Sequence, residues 1–182
     1  MSDQQRPGDR ADAFVFTPRK NGQSQSLSDE LAAWMSTGWA DTELRDLDPI
    51  EQAPHTARRR AALGAAFPGE RLVVPAGQLV TRSNDTEYPF RAATDYAYLT
   101  GDTADGGCLL LTPNADGGHD AVLYLKPRSD RENGEFWLGQ YGELWTGRRN
   151  SLQEASALFG VATADVRTLP EALRSGTTAL RV

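Results

Sequence analysis

The sequence predicts an α/β fold in which helices flank a mixed β-sheet. After Pro68-Gly69 the chain changes to short β-prone runs separated by turn residues. Two of these runs, residues 108–111 and 121–125, are continuously apolar rather than alternating, which is typical of central strands covered on both faces. Helical patterns before and after the runs supply that cover.

The β-prone runs predict strands over residues 71–75, 78–81, 95–100, 107–112 and 121–126. Asp105-Gly106 and Asp116-Gly117 supply turn chemistry on either side of the 107–112 strand, so we expect a meander there. Residues 177–182 also have strand character and are followed by no turn or cap, so we expect the polypeptide to continue.

Helices are predicted over residues 28–37 and 54–67, from Ser151 to Phe159, and briefly near Pro170. Ser26, with Asp29 three residues later, resembles a capping signal for the first helix. Ser151 and Glu154 form a capping box for the third, which Gly160 should end.

Composition limits the partners. The 182 residues suit one domain, residues 52–182, with a polar N-terminal extension over residues 1–51. Nineteen Lys and Arg against 25 Asp and Glu give a net charge of −6, so nucleic acid and membrane surfaces are not expected partners. The single cysteine, Cys108, excludes a disulfide framework and favours a cytoplasmic location.

No residue of the chain has the setting of a catalytic or metal-binding group. His55 and His119 lie in unrelated polar surroundings and are interpreted as surface histidines, while Cys108 lies inside an apolar strand. The glycine pairs match no phosphate-binding loop. Arg58–Arg60 point in different directions on one helix and are interpreted as solvated or ion-paired.

Two stretches combine polar, aromatic and constrained residues, as recognition loops do. The first runs over residues 81–91 and continues through 94–101, and the second is Gly142-Glu143-Leu144-Trp145-Thr146-Gly147-Arg148-Arg149. From the residues alone, each stretch is either a recognition loop or a well-packed structural loop.

Residues 81–101, TRSNDTEYPFRAATDYAYLTG, closely resemble the signature of the N-terminal domain of bacterial aminopeptidase P, the Xaa-Pro aminopeptidases. The resemblance continues through residues 107–126, GELWTGRR and the helix after Ser151, and so covers about residues 52–182. Residues 1–51 have only a weaker likeness to the N-terminal extensions of some family members. The family's N-terminal domain has a mixed sheet of ribonuclease-H-like layout, of the creatinase and aminopeptidase P type.

The resemblance implies a two-domain metallopeptidase that removes an N-terminal residue preceding proline. Two divalent metals, commonly manganese, would be bound by a C-terminal pita-bread domain that no part of this chain matches. The chain itself is then expected to bind no cofactor and to be inactive alone. Its implied partners are the C-terminal catalytic domain, further copies in a dimer or tetramer, and peptides with proline in second position.

Two site residues follow from the resemblance. Trp145 matches the family tryptophan that reaches toward the active site of a neighbouring subunit, and Asp85 matches the acidic member of a loop facing that region. The alternatives are that Trp145 is a core residue and Asp85 an Asx-turn residue. The longer stretch over residues 127–140, including Phe136 and Trp137, departs from the family pattern.

Other functions remain open at this point. The parent protein could be a prolidase, which shares the domain and cleaves Xaa-Pro dipeptides. The chain could instead be a free-standing interaction module, or an independent ligand-binding α/β domain, although the sequence offers no phosphate loop for the latter.

Overall fold

The computed structural model describes residues 28–84, 86–131, 134–138, 141–175 and 179–182. The helices are α1 (Asp29–Met35), α2 (Ala53–Ala66), α3 (Thr94–Thr100), α4 (Glu135–Leu138), α5 (Glu143–Thr146), α6 (Leu152–Phe159) and α7 (Leu169–Arg174). The strands are β1 (Arg71–Pro75), β2 (Thr81–Ser83), β3 (Thr86–Glu87), β4 (Cys108–Pro113), β5 (His119–Leu125), β6 (Ala162–Asp165) and β7 (Leu180–Arg181), with a 3-10 helix over Val166–Thr168.

The chain divides into two compact units. The smaller, here called the Trp145 unit, comprises Met1–Asp41 and Ser129–Arg148. The larger, the sheet unit, comprises Thr42–Arg128 and Arg149–Val182. Helices α1, α4 and α5 belong to the Trp145 unit and the strands belong to the sheet unit. Residues 42–51, part of the predicted extension, cluster with the sheet unit.

The main sheet has the strand order β6-β5-β4-β1-β7. Its central neighbours β1, β4 and β5 run antiparallel, with Leu109 opposite Val74 on one side and Leu123 on the other. The outer strands β6 and β7 pair in parallel with β5 and β1. The predicted mixed sheet is therefore confirmed. Of the predicted meander, the structure has the β4-β5 hairpin, whereas the Asp105-Gly106 turn follows α3 rather than a strand.

Both faces of the sheet are covered. On one face Leu109, Leu111 and Leu123 pack in a core cluster with residues of α2, α3 and α6. On the other face Cys108 and Leu110 pack against residues of β6, the 3-10 helix and α7. Alternate residues of β4 thus enter opposite layers, which is why its sequence is apolar at consecutive positions.

The helix ends follow local capping rules. The Ser151 side chain accepts a hydrogen bond from the Glu154 amide while the Glu154 carboxylate accepts one from the Ser151 amide, and Gly160 ends α6 in the left-handed region. This confirms the predicted capping box. Helix α1 is capped by Ser28, and the predicted cap Ser26 lies outside the described residues.

The strand predicted over residues 95–100 is wrong, because these residues form α3. Tyr96, Leu99 and Thr100 are the buried residues of this segment, and their spacing is that of one helix face. Gly101 ends the helix with φ of 79°. The β-propensity of two tyrosines and two threonines is overridden by packing on the sheet.

Three smaller differences concern strands. The strand predicted over residues 78–81 begins at Thr81 and belongs to the separate β2-β3 hairpin. Strand β6, a short edge strand of mixed composition, was not predicted from the sequence. Of the predicted 177–182 strand, β7 is the described part, and Thr177 and Thr178 lie outside the described residues.

We find no helix among the described residues with the length and apolar character that crossing a bilayer requires.

Candidate functional site

Trp145 lies on α5, a single helical turn of the Trp145 unit. Its side chain is 74% exposed, and that of the preceding Leu144 is 49% exposed. Trp145 is therefore not a core residue, which was the alternative interpretation. The indole and the neighbouring leucine thus form an apolar surface that the described residues leave exposed.

Two residues at the start of α5 join it to the rest of the Trp145 unit. The Glu143 side chain is buried, and its carboxylate accepts a hydrogen bond of 2.6 Å from the Ser129 amide. The Gly142 carbonyl accepts from the amides of Trp145 and Thr146 at 3.0 Å each. A Cβ at Gly142 would lie 2.6 Å from the Phe136 carbonyl oxygen, so α4 and the start of α5 are in close backbone contact.

The stretch over residues 127–140, where the chain departs from the family pattern, contributes packing to this unit. The rings of Phe136 and Trp39 meet edge to face with centroids 4.8 Å apart. The Arg131 guanidinium lies 4.8 Å from the Phe136 centroid and donates to the Ala40 carbonyl at 2.6 Å. Trp137 is buried. Aromatic contacts and a cation–π contact thus hold Phe136 against Trp39 and Arg131 in this unit.

Asp85, the second predicted site residue, lies outside the described residues. Its neighbours belong to the β2-β3 hairpin of the sheet unit, in which Thr81 pairs with Glu87 and Ser83 with Thr86. Asn84 adopts a φ of 51°, a left-handed conformation that asparagine tolerates in tight turns. Trp145 and the β2-β3 hairpin belong to different units.

Much of the motif at residues 94–101 forms core rather than recognition surface. Tyr96 is fully buried, and its phenol donates a 2.6 Å hydrogen bond to Oδ2 of Asp102. Burial and then the Asp102 charge raise the pKa of the Tyr96 phenol far above its usual range. Tyr98 is exposed, with the Arg59 guanidinium 3.9 Å above its ring.

The basic run on α2 is only partly solvated, which corrects its interpretation. Arg60 is buried and donates to the carbonyls of Leu99 at 2.9 Å and Gly160 at 3.2 Å, and to the Thr56 hydroxyl at 3.1 Å. Burial lowers the pKa of the Arg60 guanidinium. Arg60 therefore joins α2 to the ends of α3 and α6.

The remaining nucleophile and ligand candidates stand apart from one another. His55 is exposed, whereas His119 is half-buried and its Nε2 donates to the Glu70 carbonyl at 2.7 Å, so the surface interpretation holds for His55 alone. Cys108 is buried, and burial raises the pKa of its thiol. Within the described part of the chain, no three His, Cys, Asp or Glu residues gather where a metal could bind. These residues do not fit a metal, and no reaction step is assigned to them.

A cavity of about 560 Å³ lies in the sheet unit. Its lining is mainly apolar and comes from α2, β1, α3 and the end of β7, with Arg59, Asp95 and Arg181 as its charged members. No Ser, Thr, Cys or His lies among these lining residues.

A mixed five-stranded sheet with helices on both faces defines an α/β domain. Residues 56–179 match the sequence profile of the family described as "Aminopeptidase P, N-terminal domain". The chain belongs to this family.

Relatives named Xaa-Pro aminopeptidase are similar over most of the chain. Xaa-Pro aminopeptidase 1 of Streptomyces coelicolor is 62% identical over 164 residues, which cover 90% of this chain and 33% of the relative. Xaa-Pro aminopeptidase of Escherichia coli is 30% identical over 118 residues, 65% of this chain and 24% of the relative. The chain thus spans a third or less of the length of these relatives.

Solved structures of the same kind share the fold. Aminopeptidase P from E. coli with the inhibitor Pro-Leu is 29% identical and matches 69% of this chain and 27% of its own with a TM-score of 0.57. Proline aminopeptidase P II from Yersinia pestis is 28% identical and matches 66% of this chain and 26% of its own with a TM-score of 0.55.

Glu143 is the residue of this region that sequence reasoning missed. The sequence assigns Glu143 no role, because the hydrogen bond between its carboxylate and the Ser129 amide joins residues 14 positions apart. The signal that the sequence carries is a Gly-Glu pair directly before a Leu-Trp pair.

Proposed function

We propose that this chain is the noncatalytic N-terminal domain of a Xaa-Pro aminopeptidase, and that the whole protein releases the N-terminal residue that precedes proline. The observation that carries the proposal is the 62% identity to a Xaa-Pro aminopeptidase over 90% of the chain. Residues 52–182 would form the functional domain and residues 1–51 an extension, in keeping with the family match over residues 56–179. The family's relatives are about three times as long, which leaves room for a catalytic domain after this one.

We assign this domain a role in shaping the substrate groove. Proline offers no backbone N–H, so an enzyme that cuts before it must discriminate by shape. Trp145 would form an aromatic wall of the groove of a neighbouring subunit, and Asp85 would face the same region. The 74% exposure of the indole, on a turn held by buried contacts, supports this role.

The remaining parts of the proposal concern partners and cofactors. The chemistry would be supplied by two divalent metals, which the family resemblance implies to be manganese, bound by residues outside this chain. The protein would act as a dimer or tetramer in the cytoplasm, on peptides with proline in second position. The acidic net charge of −6 and the single buried cysteine support this setting.

The proposal is tested on the full-length protein with three substrates: a longer Xaa-Pro peptide, the corresponding Xaa-Pro dipeptide, and the longer peptide with alanine in place of proline. We expect release of the first residue from the longer Xaa-Pro peptide, with the alanine analogue cleaved far more slowly. Preference for the dipeptide would identify a prolidase instead. A reading frame that stops after Val182 would favour the interaction module.

The isolated chain provides the matched control. Residues 1–182 alone should release no amino acid from any of the three peptides, since they hold no candidate for the catalytic groups. Turnover that persists through repurification of this chain would contradict the noncatalytic assignment.

A further inference from the structure

Helix α5 is too short to hold its own conformation. One turn fixes several backbone dihedrals for few hydrogen bonds, so an isolated turn is unstable in water. Trp145 sits on this turn with 74% of its side chain exposed, and so its own packing contributes little to its placement. The direction of the indole must therefore be set by the residues that anchor the turn.

Glu143 is the first anchor. It is only 6% exposed although it is a carboxylate, and its Oε2 accepts the Ser129 amide at 2.6 Å. Hydrogen bonds to an ionised acceptor are short and about twice as strong as neutral ones. This bond joins Glu143, the first residue of α5, to Ser129, at the start of the 129–148 segment. Glu143 lies two residues before Trp145 in the sequence.

Gly142 is the second anchor, and it acts through shape. A Cβ at this position would lie 2.6 Å from the Phe136 carbonyl oxygen and 2.7 Å from that of Glu135. Both atoms are backbone, so they cannot rotate away as a side chain would. The φ of Gly142 is −69°, which any residue adopts. Glycine is therefore needed here for close approach rather than for conformation.

We propose that Glu143 and Gly142 are positioning residues that fix the direction of Trp145 and thereby set how the enzyme discriminates among peptides that extend beyond proline. This inference rests on the proposed function of Trp145 as a groove wall. Neither residue touches substrate in this account, and each acts only through the placement of α5. Removing either anchor should therefore resemble removal of the indole itself.

The experiment is a double-mutant cycle in the full-length protein. The variants are Glu143→Ala, Glu143→Gln, Gly142→Ala, Trp145→Ala and the double variant Glu143→Ala/Trp145→Ala. For each, kcat and KM are measured on a short and a longer Xaa-Pro peptide, together with Tm. Glu143→Gln keeps an oxygen that can accept the Ser129 amide and serves as the conservative variant.

We expect Glu143→Ala and Gly142→Ala to raise KM for the longer peptide about 10-fold, as small displacements of a positioning group do, with kcat less affected. Glu143→Gln should lie closer to the unsubstituted protein. In the Trp145→Ala background, Glu143→Ala should have no further effect on KM, because there is no indole left to place.

The outcomes separate the two proposals. If Trp145→Ala lowers kcat/KM but Glu143→Ala and Gly142→Ala do not, the positioning role is wrong and the groove role stands. If Glu143→Ala lowers kcat/KM to the same extent with and without Trp145, it acts by another route and the inference is wrong. If Trp145→Ala leaves kcat/KM unchanged, the groove role is wrong, and the positioning role that rests on it is wrong as well. Should Glu143→Ala fail to fold, Gly142→Ala and Glu143→Gln carry the test in the same way.

Discussion

The Tyr96 phenol donates a 2.6 Å hydrogen bond to Oδ2 of Asp102, and both side chains are buried beneath the sheet unit's surface. The other oxygen of Asp102 accepts the Ala104 amide at 3.1 Å. One buried carboxylate thus joins α3 to the loop that leads into β4. At Tyr96, the stretch that resembles the family signature therefore stabilises the fold.

Removing the phenol should leave that carboxylate short of a partner. We expect Tyr96→Phe to lower the free energy of unfolding by about 1–3 kcal/mol, the cost of an unsatisfied buried polar group. Denaturant unfolding of the 182-residue chain measures the change. Tyr98→Phe is the matched control, since Tyr98 is 55% exposed and its ring contact with Arg59 survives the substitution. Equal losses in the two variants would contradict the role of the buried bond.

The same phenol makes the free energy of unfolding depend on pH in the alkaline range. Burial, with the Asp102 charge, raises the pKa of folded Tyr96 well above its ordinary value of 10.0. The unfolded chain therefore loses the phenol proton first, and the free energy of unfolding should fall as pH rises above about 10, by about 1.4 kcal/mol per pH unit for each proton retained. Tyr96→Phe should reduce the slope by one such proton. Burial also raises the pKa of Cys108 and Tyr124, which contribute to the slope in the same direction. Identical slopes with and without Tyr96 would contradict this.

Gly107 makes room for that phenol. A Cβ at Gly107 would overlap the phenol oxygen of Tyr96 and lie 2.9 Å from its ring. Gly107→Ala should destabilise the chain by about 1–3 kcal/mol through overpacking, and by less in a Tyr96→Phe background. Gly118→Ala is the control, because its nearest contact, the Asn114 side chain, is 3.6 Å away. Similar losses of Tm in the two alanine variants would show that space beside Tyr96 is not the cause.

We expect the buried Arg60 side chain to stabilise the folded chain. Arg60→Met removes the donor to the Leu99 and Gly160 carbonyls, and we expect a loss of about 3 kcal/mol in unfolding free energy. Arg58→Met, at an exposed position of the same helix, should change it by less than about 0.5 kcal/mol. A tolerated Arg60→Met would mean that the three hydrogen bonds contribute no net stability.

The central strands could be predicted from the sequence because their signal is local. Residues 108–111 and 121–125 are apolar at consecutive positions, and that pattern requires cover on both faces. Ser151 and Glu154 carry a capping signal within three residues of one another. In these segments propensity, pattern and tertiary contacts agree.

Prediction failed where contacts distant in sequence decide. Tyr96 and its neighbours have β-propensity but form a helix because Tyr96 and Leu99 pack under the sheet. Arg60 is buried and donates to carbonyls that lie 39 and 100 residues away in the sequence. For the candidate site, Trp145 and Asp85 follow from the family resemblance, whereas the burial of Glu143 and its hydrogen bond to the Ser129 amide are seen in the structure.

The proposed role of Trp145 in the substrate groove is tested by a paired measurement on the full-length protein. Tm and kcat/KM of Trp145→Ala are compared with those of Trp34→Ala, because Trp34 belongs to the same unit and is 72% exposed, against 74% for Trp145. We expect an unchanged Tm in both variants and a fall in kcat/KM of about 10-fold for Trp145→Ala alone, largest for peptides that extend beyond proline. A large fall in Tm with unchanged kcat/KM for Trp145→Ala would contradict it.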